Sequence, residues 1–221
     1  MLRTHNGHFV IDISSLRPRL LHALAQMQLP DDDQRVSAWL AYLELLERWN
    51  RTYNLTAVRD PTEMLTRHLL DSLAMAAHWN ELEIADMGAG AGLPGIPLAI
   101  LHPERRVVLI ESNGKKARFL REAKRVLQLA AVEVVEQRAE AYLPARPLSA
   151  ATARAVAPIA ALGGWCQSWL APGGRLLAMK GPGYRDELAA LPAGFVLDSV
   201  AELNVPGLDG ERVLVILRKQ L

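Results

Sequence analysis

Apolar residues in the first third of the chain recur at helical spacing, and from Leu82 onward they fall in short blocks punctuated by glycine and proline. Residues 12 to 79 therefore predict helices. Asp12 to about Leu29 reads as one amphipathic segment. A second follows Asp31-Asp32-Asp33, whose carboxylates suit a helix N-terminus, and along it Val36, Trp39, Leu40, Leu43 and Leu46 form a core-facing stripe. The third opens at Asp60-Pro61-Thr62-Glu63, with a capping aspartate, proline at the first helical position and glutamate three residues past the cap. It is predicted to run to about His78.

Beyond residue 80 the pattern alternates strand with helix. LEIADM is a short strand, followed by a glycine-rich loop and a helix from about Pro94. RVVLIE (106–111) is the next strand, with a helix from Asn113 to about Leu129. VEVVEQ, TARAV and GRLLAMKG supply three more strands. FVLDSVAEL and ERVLVILRK close the chain as a pair joined by a short loop with Pro206, Gly207 and Gly210, a hairpin rather than a crossover. The predicted class is α/β, with a doubly wound, mostly parallel seven-stranded sheet ending in an antiparallel hairpin, a Rossmann-like arrangement. The expected division is an N-terminal helical extension, 1–79, packed on a sheet domain, 80–221. Ligands of such sheets bind beyond the carboxyl ends of the strands, where the strand order reverses.

That place is occupied here by DMGAGAGLPGIP, residues 86–97. Gly90-Ala91-Gly92-Leu93-Pro94-Gly95 satisfies G-x-G-x-x-G, which alone fits several ligands or merely a tight turn. Gly88 and Gly90 let the backbone turn and approach a ligand without a Cβ in the way. Nineteen residues beyond Gly92 the second strand ends in Glu111, a carboxylate able to accept from both hydroxyls of a ribose. Loop and acid together read as a nucleoside site, which NAD and S-adenosylmethionine both satisfy. Three features favour the methyl donor. Asp86 is placed to meet a cationic amino group, directly or through water, and would repel a pyrophosphate. The closing hairpin is foreign to most nicotinamide-binding sheets. Arg138-Ala139-Glu140, after the third strand, is a polar turn placed to meet an adenine.

Composition narrows the partners. Half of the 221 residues are apolar, enough for a substantial core, and 25 Lys and Arg against 24 Asp and Glu leave a net charge of +1. A nucleic-acid partner would have to be met by a local patch. The single cysteine, Cys166, excludes an internal disulfide framework, and neither a Cys-rich nor a His-pair metal spacing occurs. MLRTHNGHFVID has no apolar core of signal-peptide length, and no apolar run approaches about 18 residues, so a soluble cytoplasmic protein without membrane or metal partners is expected.

The chain resembles the RsmG (GidB) family, methyltransferases that modify N7 of a guanine in the decoding-centre loop of 16S ribosomal RNA. The resemblance runs from about Trp39 to Lys219 and rests on NRTYNLTAV (50–58), RHLLDSL (67–73), DMGAGAGLPGIPLAI (86–100), RAVAP (154–158), MKG (179–181) and VPGLDGERVLVI (205–216). The first, second and last are not general methyltransferase features. The resemblance implies a class I S-adenosylmethionine-dependent methyltransferase fold acting on the small ribosomal subunit. It places donor contacts on Gly88, Leu93, Ala139, Glu140 and Arg154. Glu111 as ribose acceptor, with Asp86 and Gly90, rests on the residues themselves. A ribosome-assembly factor that binds the donor without turnover, and a nicotinamide oxidoreductase, are the alternatives.

The chemistry left to the protein is small. Methylation of pyrimidine C5 needs a cysteine nucleophile, and Cys166 lies in GGWCQSWL, a half-buried helical segment where a packed thiol is expected. Amino-group methylation of adenine usually uses an Asp/Asn-Pro-Pro-aromatic tetrapeptide after the fourth strand, where Arg154-Ala155-Val156-Ala157-Pro158 stands instead. Guanine N7 has a free lone pair and no proton to lose, so alignment alone suffices and no catalytic acid, base or nucleophile is assigned. Arg154 and Lys180 follow strands and are expected to position substrate on the cleft face. Lys115, Lys116, Arg118, Arg121, Lys124 and Arg125 form either an RNA footprint or a solvated helix face. Arg48, Arg51, Arg59, Arg67 and His68 cluster near the end of the helical region. Asn50 and Asn54 are read as holding a turn around Tyr53.

Overall fold

Aspartates start the N-terminal helices in the computed structural model, which describes residues 3–5, 8–10 and 12–221. Before residue 12 the predicted helical extension holds a short antiparallel pair instead, Arg3–His5 with His8–Val10. Asp12 accepts from Ser14 N and opens a 3-10 turn, Ile13–Leu16, that leads into helix α1 (Arg17–Gln26). Asp32 caps α2 (Asp33–Tyr53) by accepting from Arg35 N. Asp60 accepts from Thr62 N and Glu63 N at 2.7 and 3.1 Å, as its cap spacing predicts. The helix it opens, α3 (61–73), starts as Pro61–Met64, widens to a π-helical stretch over Leu65–Leu70, and closes as Asp71–Leu73. It ends short of His78, which lies in a separate 3-10 turn, Ala76–His78. Widened turns of this kind re-aim side chains and concentrate at functional sites.

The seven strands are β1 (Glu83–Met87), β2 (Arg106–Ile110), β3 (Val132–Val135), β4 (Leu148–Arg154), β5 (Leu170–Lys180), β6 (Phe195–Glu202) and β7 (Val213–Lys219). They lie in the order β3-β2-β1-β4-β5-β7-β6. The first five are parallel, and β7 inserts antiparallel between β5 and β6. The sheet is thus the doubly wound one that the alternating pattern predicts, and its order reverses at β1, with β2 on one side and β4 on the other. Helices α4 (Gly95–Leu101), α5 (Gly114–Val126), α6 (Ile159–Cys166) and α7 (Tyr184–Leu188) complete the layers.

Because side chains alternate along a strand, each central strand feeds two cores. Ile84, Val107, Leu109, Leu177 and Ile216 join one cluster with residues of α1 to α5, including Trp39, Leu43, Leu69 and Phe119. Ala85, Val108, Ile110, Leu176 and Val215 join the other, beneath α6, with Ile159, Cys166 and Trp169. The N-terminal helices therefore share a core with the sheet. This contact puts α2 and α3 beside the carboxyl ends of β1 and β4. Among the described residues no helix is long and apolar enough to cross a membrane.

Candidate active site

The glycine loop hangs from the end of β1 and is tied to its neighbour. Gly88 N and Ala89 N both donate to the Ile110 carbonyl, at 2.9 and 3.0 Å. Gly88 sits at φ +68°, and a Cβ there would meet Val156 Cγ2 at 2.6 Å. The bare backbone at this position is thus demanded by both the turn and the wall opposite. Gly95 serves packing instead, since a Cβ there would meet Leu109 Cδ2 at 2.3 Å. Beneath the loop the N-terminal helix α2 supplies two braces. Tyr42 Oη donates to Ala91 O at 2.8 Å and Trp39 Nε1 donates to Pro97 O at 3.2 Å, both in buried surroundings.

Over this loop opens a cleft of about 610 Å³ at the strand carboxyl ends. Gly88, Gly90 and Leu93 line its floor, Glu111 one side, and Ala139 with Glu140 the end after β3. Arg154 lines it from the end of β4, so the structure brings seven of the sequence-predicted residues to one cavity. A Cβ on Gly90 would meet only the Gly88 carbonyl oxygen, at 3.8 Å, so a side chain there would take up open space. Glu111 is 7% exposed; it accepts from Gly90 N at 2.8 Å through one oxygen and from Asn113 N at 2.7 Å through the other. A carboxylate has about four acceptor sites, so two remain for hydroxyls of a ligand.

Asp86 is placed differently from its expected position at the ligand. It is fully buried and absent from the cleft lining, and its Oδ2 accepts from Gly95 N at 2.9 Å. Burial pushes its carboxyl up to about 7, against the pull of the Gly95 N–H and of Arg154. Its Oδ1 has no hydrogen-bond partner among the described residues. The side chain holds the loop to α4 from below.

The two strand-end cations also differ from expectation in their freedom. Arg154 Nη1 donates to Asp71 Oδ2 at 2.7 Å and to the Arg67 carbonyl at 2.9 Å, and Nη2 lies 3.5 Å from His68 Nδ1. It is a fixed cation, locked by α3. His68, whose Nε2 lies 2.8 Å from Thr56 Oγ1, is pushed down to about 4 by burial and then by Arg154. The neutral ring that results can accept from Arg154 at Nδ1 and donate to Thr56 at Nε2. Lys180 does not line the cleft. Its Nζ donates to Ala157 O at 2.8 Å and to Glu187 Oε2 at 2.7 Å, and that same oxygen accepts from Ile159 N at 2.6 Å. The lysine therefore clamps α7 to the start of α6, and its ammonium is paired rather than free toward the cleft.

Cys166 is fully buried, and burial pushes its thiol up to about 12, so no thiolate is offered to the cleft. Asn50 holds the 50–58 turn as expected, donating to Val58 O and accepting from Thr56 N. Sequence reading missed Tyr42 and Asp71, and gave His68 no role beyond its place in a basic cluster. A tyrosine at core spacing, and an Arg-His-x-x-Asp run on one helix, were the available signals.

Strand order, glycine loop and strand-end carboxylate together define a class I methyltransferase fold. A glycopeptide N-methyltransferase solved with S-adenosyl-L-methionine superposes with a TM-score of 0.56 at 12% identity, over 68% of this chain and 86% of that one. A predicted O-methyltransferase from Agrobacterium tumefaciens gives 0.51 at 24% identity, over 68% and 79%. At such identities the likeness concerns the fold alone. Residues 35–215 match the sequence model of the family described as GidB, rRNA small subunit methyltransferase G, and the chain belongs to that family. Similar proteins named ribosomal RNA small subunit methyltransferase G come from Xanthomonas axonopodis pv. citri and Xanthomonas campestris pv. campestris. The first is 58% identical over 81% of this chain and 85% of its own length, the second 54% over 93% and 98%. A third, from Stenotrophomonas maltophilia, is 52% identical over 91% and 94%.

Proposed function

We propose that this protein transfers a methyl group from S-adenosylmethionine to N7 of a guanine in the decoding-centre loop of 16S ribosomal RNA. The observation that carries this reading is the 54% identity, along nearly the whole chain, to a protein named for methylation of small-subunit ribosomal RNA. The donor fits the cleft by its chemistry. Glu111 has acceptor capacity for the two ribose hydroxyls, the Gly88 and Gly90 backbone leaves room for close approach, and Ala139 with Glu140 meets the adenine end. Arg154 is held where it can meet the donor's carboxylate.

Bound S-adenosylmethionine supplies an electrophilic methyl on a sulfonium. The N7 lone pair forms the new bond in line, no proton moves, and the protein's task is to align base and methyl and exclude water. A cleft that no thiol lines, and whose histidine is held neutral by its surroundings, suits that task. The test is to map N7-methylguanine in 16S ribosomal RNA from cells with and without the protein. One guanine losing its methyl in the deletion, and regaining it on addition of protein and donor to deletion-strain small subunits, is the expected result. Donor binding with full methylation in the deletion would leave a binding protein without turnover.

A further inference from the structure

Beside the cleft, and sharing Arg154 and Ala155 with it, lies a second cavity of about 320 Å³. It opens at the ends of β4 and β5, against α3, and Arg67, Asp71, Lys180 and Arg212 also line it. Its unusual feature is Asp71, which is 4% exposed. One carboxylate oxygen takes the hydrogen bond from Arg154, while Oδ1 has no hydrogen-bond partner among the described residues. Arg212 Nε stands over that oxygen at 3.5 Å as an ion pair that lacks hydrogen-bond geometry. A buried carboxylate oxygen without a donor costs stability, and folds keep such groups where something else will complete them.

We propose that this annex receives the target base, and that Asp71 reads its Watson–Crick edge. The proposal rests on the function given above and deepens it. Guanine carries two donors on that edge, N1–H and the exocyclic amine, while N7 lies on the neighbouring Hoogsteen edge, beyond O6. A base whose edge faces Asp71 can therefore turn N7 toward the donor cleft across Arg154. Adenine presents an acceptor at N1, which a carboxylate repels, so the same oxygen discriminates between the purines. Entry of the base takes the place of Arg212 over Oδ1.

The contact also changes during the reaction. The N7 lone pair forms the new bond to the methyl carbon, and the electron pair of the breaking carbon–sulfur bond stays on sulfur. The ring gains positive charge and N1–H becomes a stronger donor. The hydrogen bond to Asp71 is then stronger in the transition state than in the ground state, which is the condition for accelerating the step.

The experiment compares small subunits assembled with guanosine or inosine at the target position, inosine lacking only the exocyclic amine. Wild-type protein should methylate guanosine at least about tenfold faster, the loss expected for a hydrogen bond to a charged group. In Asp71→Asn and Asp71→Ala that ratio should shrink toward one, whatever happens to the absolute rate through Arg154. Donor affinity, measured separately by calorimetry, registers the Arg154 contribution. A ratio in both variants equal to that of wild type would overturn the proposal. Should neither variant fold, wild-type protein that methylates inosine as fast as guanosine overturns it equally well. Wild-type protein that methylates no guanine N7 in small subunits overturns the function itself, an outcome distinct from loss of discrimination.

Discussion

Asp86 has its carboxyl pushed up to about 7 from an ordinary value of 3.8 because burial penalises its charge. Between those values the folded protein holds a proton that the unfolded chain has released. Stability from this group is full below about pH 4 and is lost as pH rises through about 7. His68, pushed down to about 4 from 6.5, works the other way, its contribution falling as pH drops below 6.5. Asp86→Asn should therefore gain on wild type steadily from about pH 4 to about pH 7 in denaturant unfolding of the free protein. A constant difference across that range would mean that Asp86 does not titrate there. Glu111→Ala should weaken S-adenosylmethionine binding about ten- to a hundred-fold, read by calorimetry, as a charge-assisted contact is lost. It should also lower stability by roughly 1–3 kcal/mol, since Gly90 N and Asn113 N lose their acceptor. Unchanged affinity would remove Glu111 from the donor site. Glu111 was legible because strand-end position and spacing from the loop are sequence properties. Asp86 was not, because the same position in sequence serves a ligand or a helix start according to which way the side chain turns.

At the scale of elements, the glycine loop depends on a helix whose bracing tyrosine precedes it by 49 residues. Tyr42→Phe removes the hydroxyl that donates to Ala91 O and leaves the ring packed. It should cost about 1–3 kcal/mol in unfolding, the range for a buried group left unpaired, and loosen donor binding, with Tyr53→Phe as the exposed control. Equal stability would mean that the Tyr42 hydroxyl adds nothing to the support that α2 gives through packing and Trp39. The clamp of α7 onto α6 gives a second test. Lys180→Ala and Glu187→Gln should each destabilise the protein, and the double variant should lose less than their sum, because each single change strands a partly buried partner. Additive losses would show that the pair is not coupled. The helix starts at Asp32 and Asp60 were readable because capping is local. Strand β4 begins at Leu148, four residues before the predicted TARAV, because LSAATAR has little of the β-branched signal, and only pairing with β5 extends it. The widened turn in α3, which aims His68 and Asp71 at Arg154, carries no local signal and depends on packing.

For the whole molecule, a net charge of +1 gives no field to draw in RNA, so binding must come from a patch. The basic run on α5 resolves into two groups. Arg121 pairs with Glu136 at 2.7 Å and Arg125 with Glu122 at 2.8 Å, which makes this part of the run a solvated, self-neutralised surface. Lys115, Lys116, Arg118 and Lys124 form no ion pair with any described residue, and Lys116 lines the mouth of the cleft. The sequence offered footprint and solvated face as alternatives for one run, and the fold divides the run between them, since only the partners on neighbouring elements distinguish its members. Each phosphate contact releases about 0.7–0.9 of a counterion, so the slope of log affinity against log salt counts the contacts. Replacing Lys115, Lys116 and Arg118 together by alanine should reduce that slope for 16S ribosomal RNA by about two to three. Replacing Arg121 and Arg125 should leave it nearly unchanged, because those charges are already compensated. Donor affinity, measured alongside, should stay level in the paired set and fall at most slightly in the unpaired one. Equal slope changes in the two sets would show that the ion pairs open on binding and that the whole helix face meets the RNA.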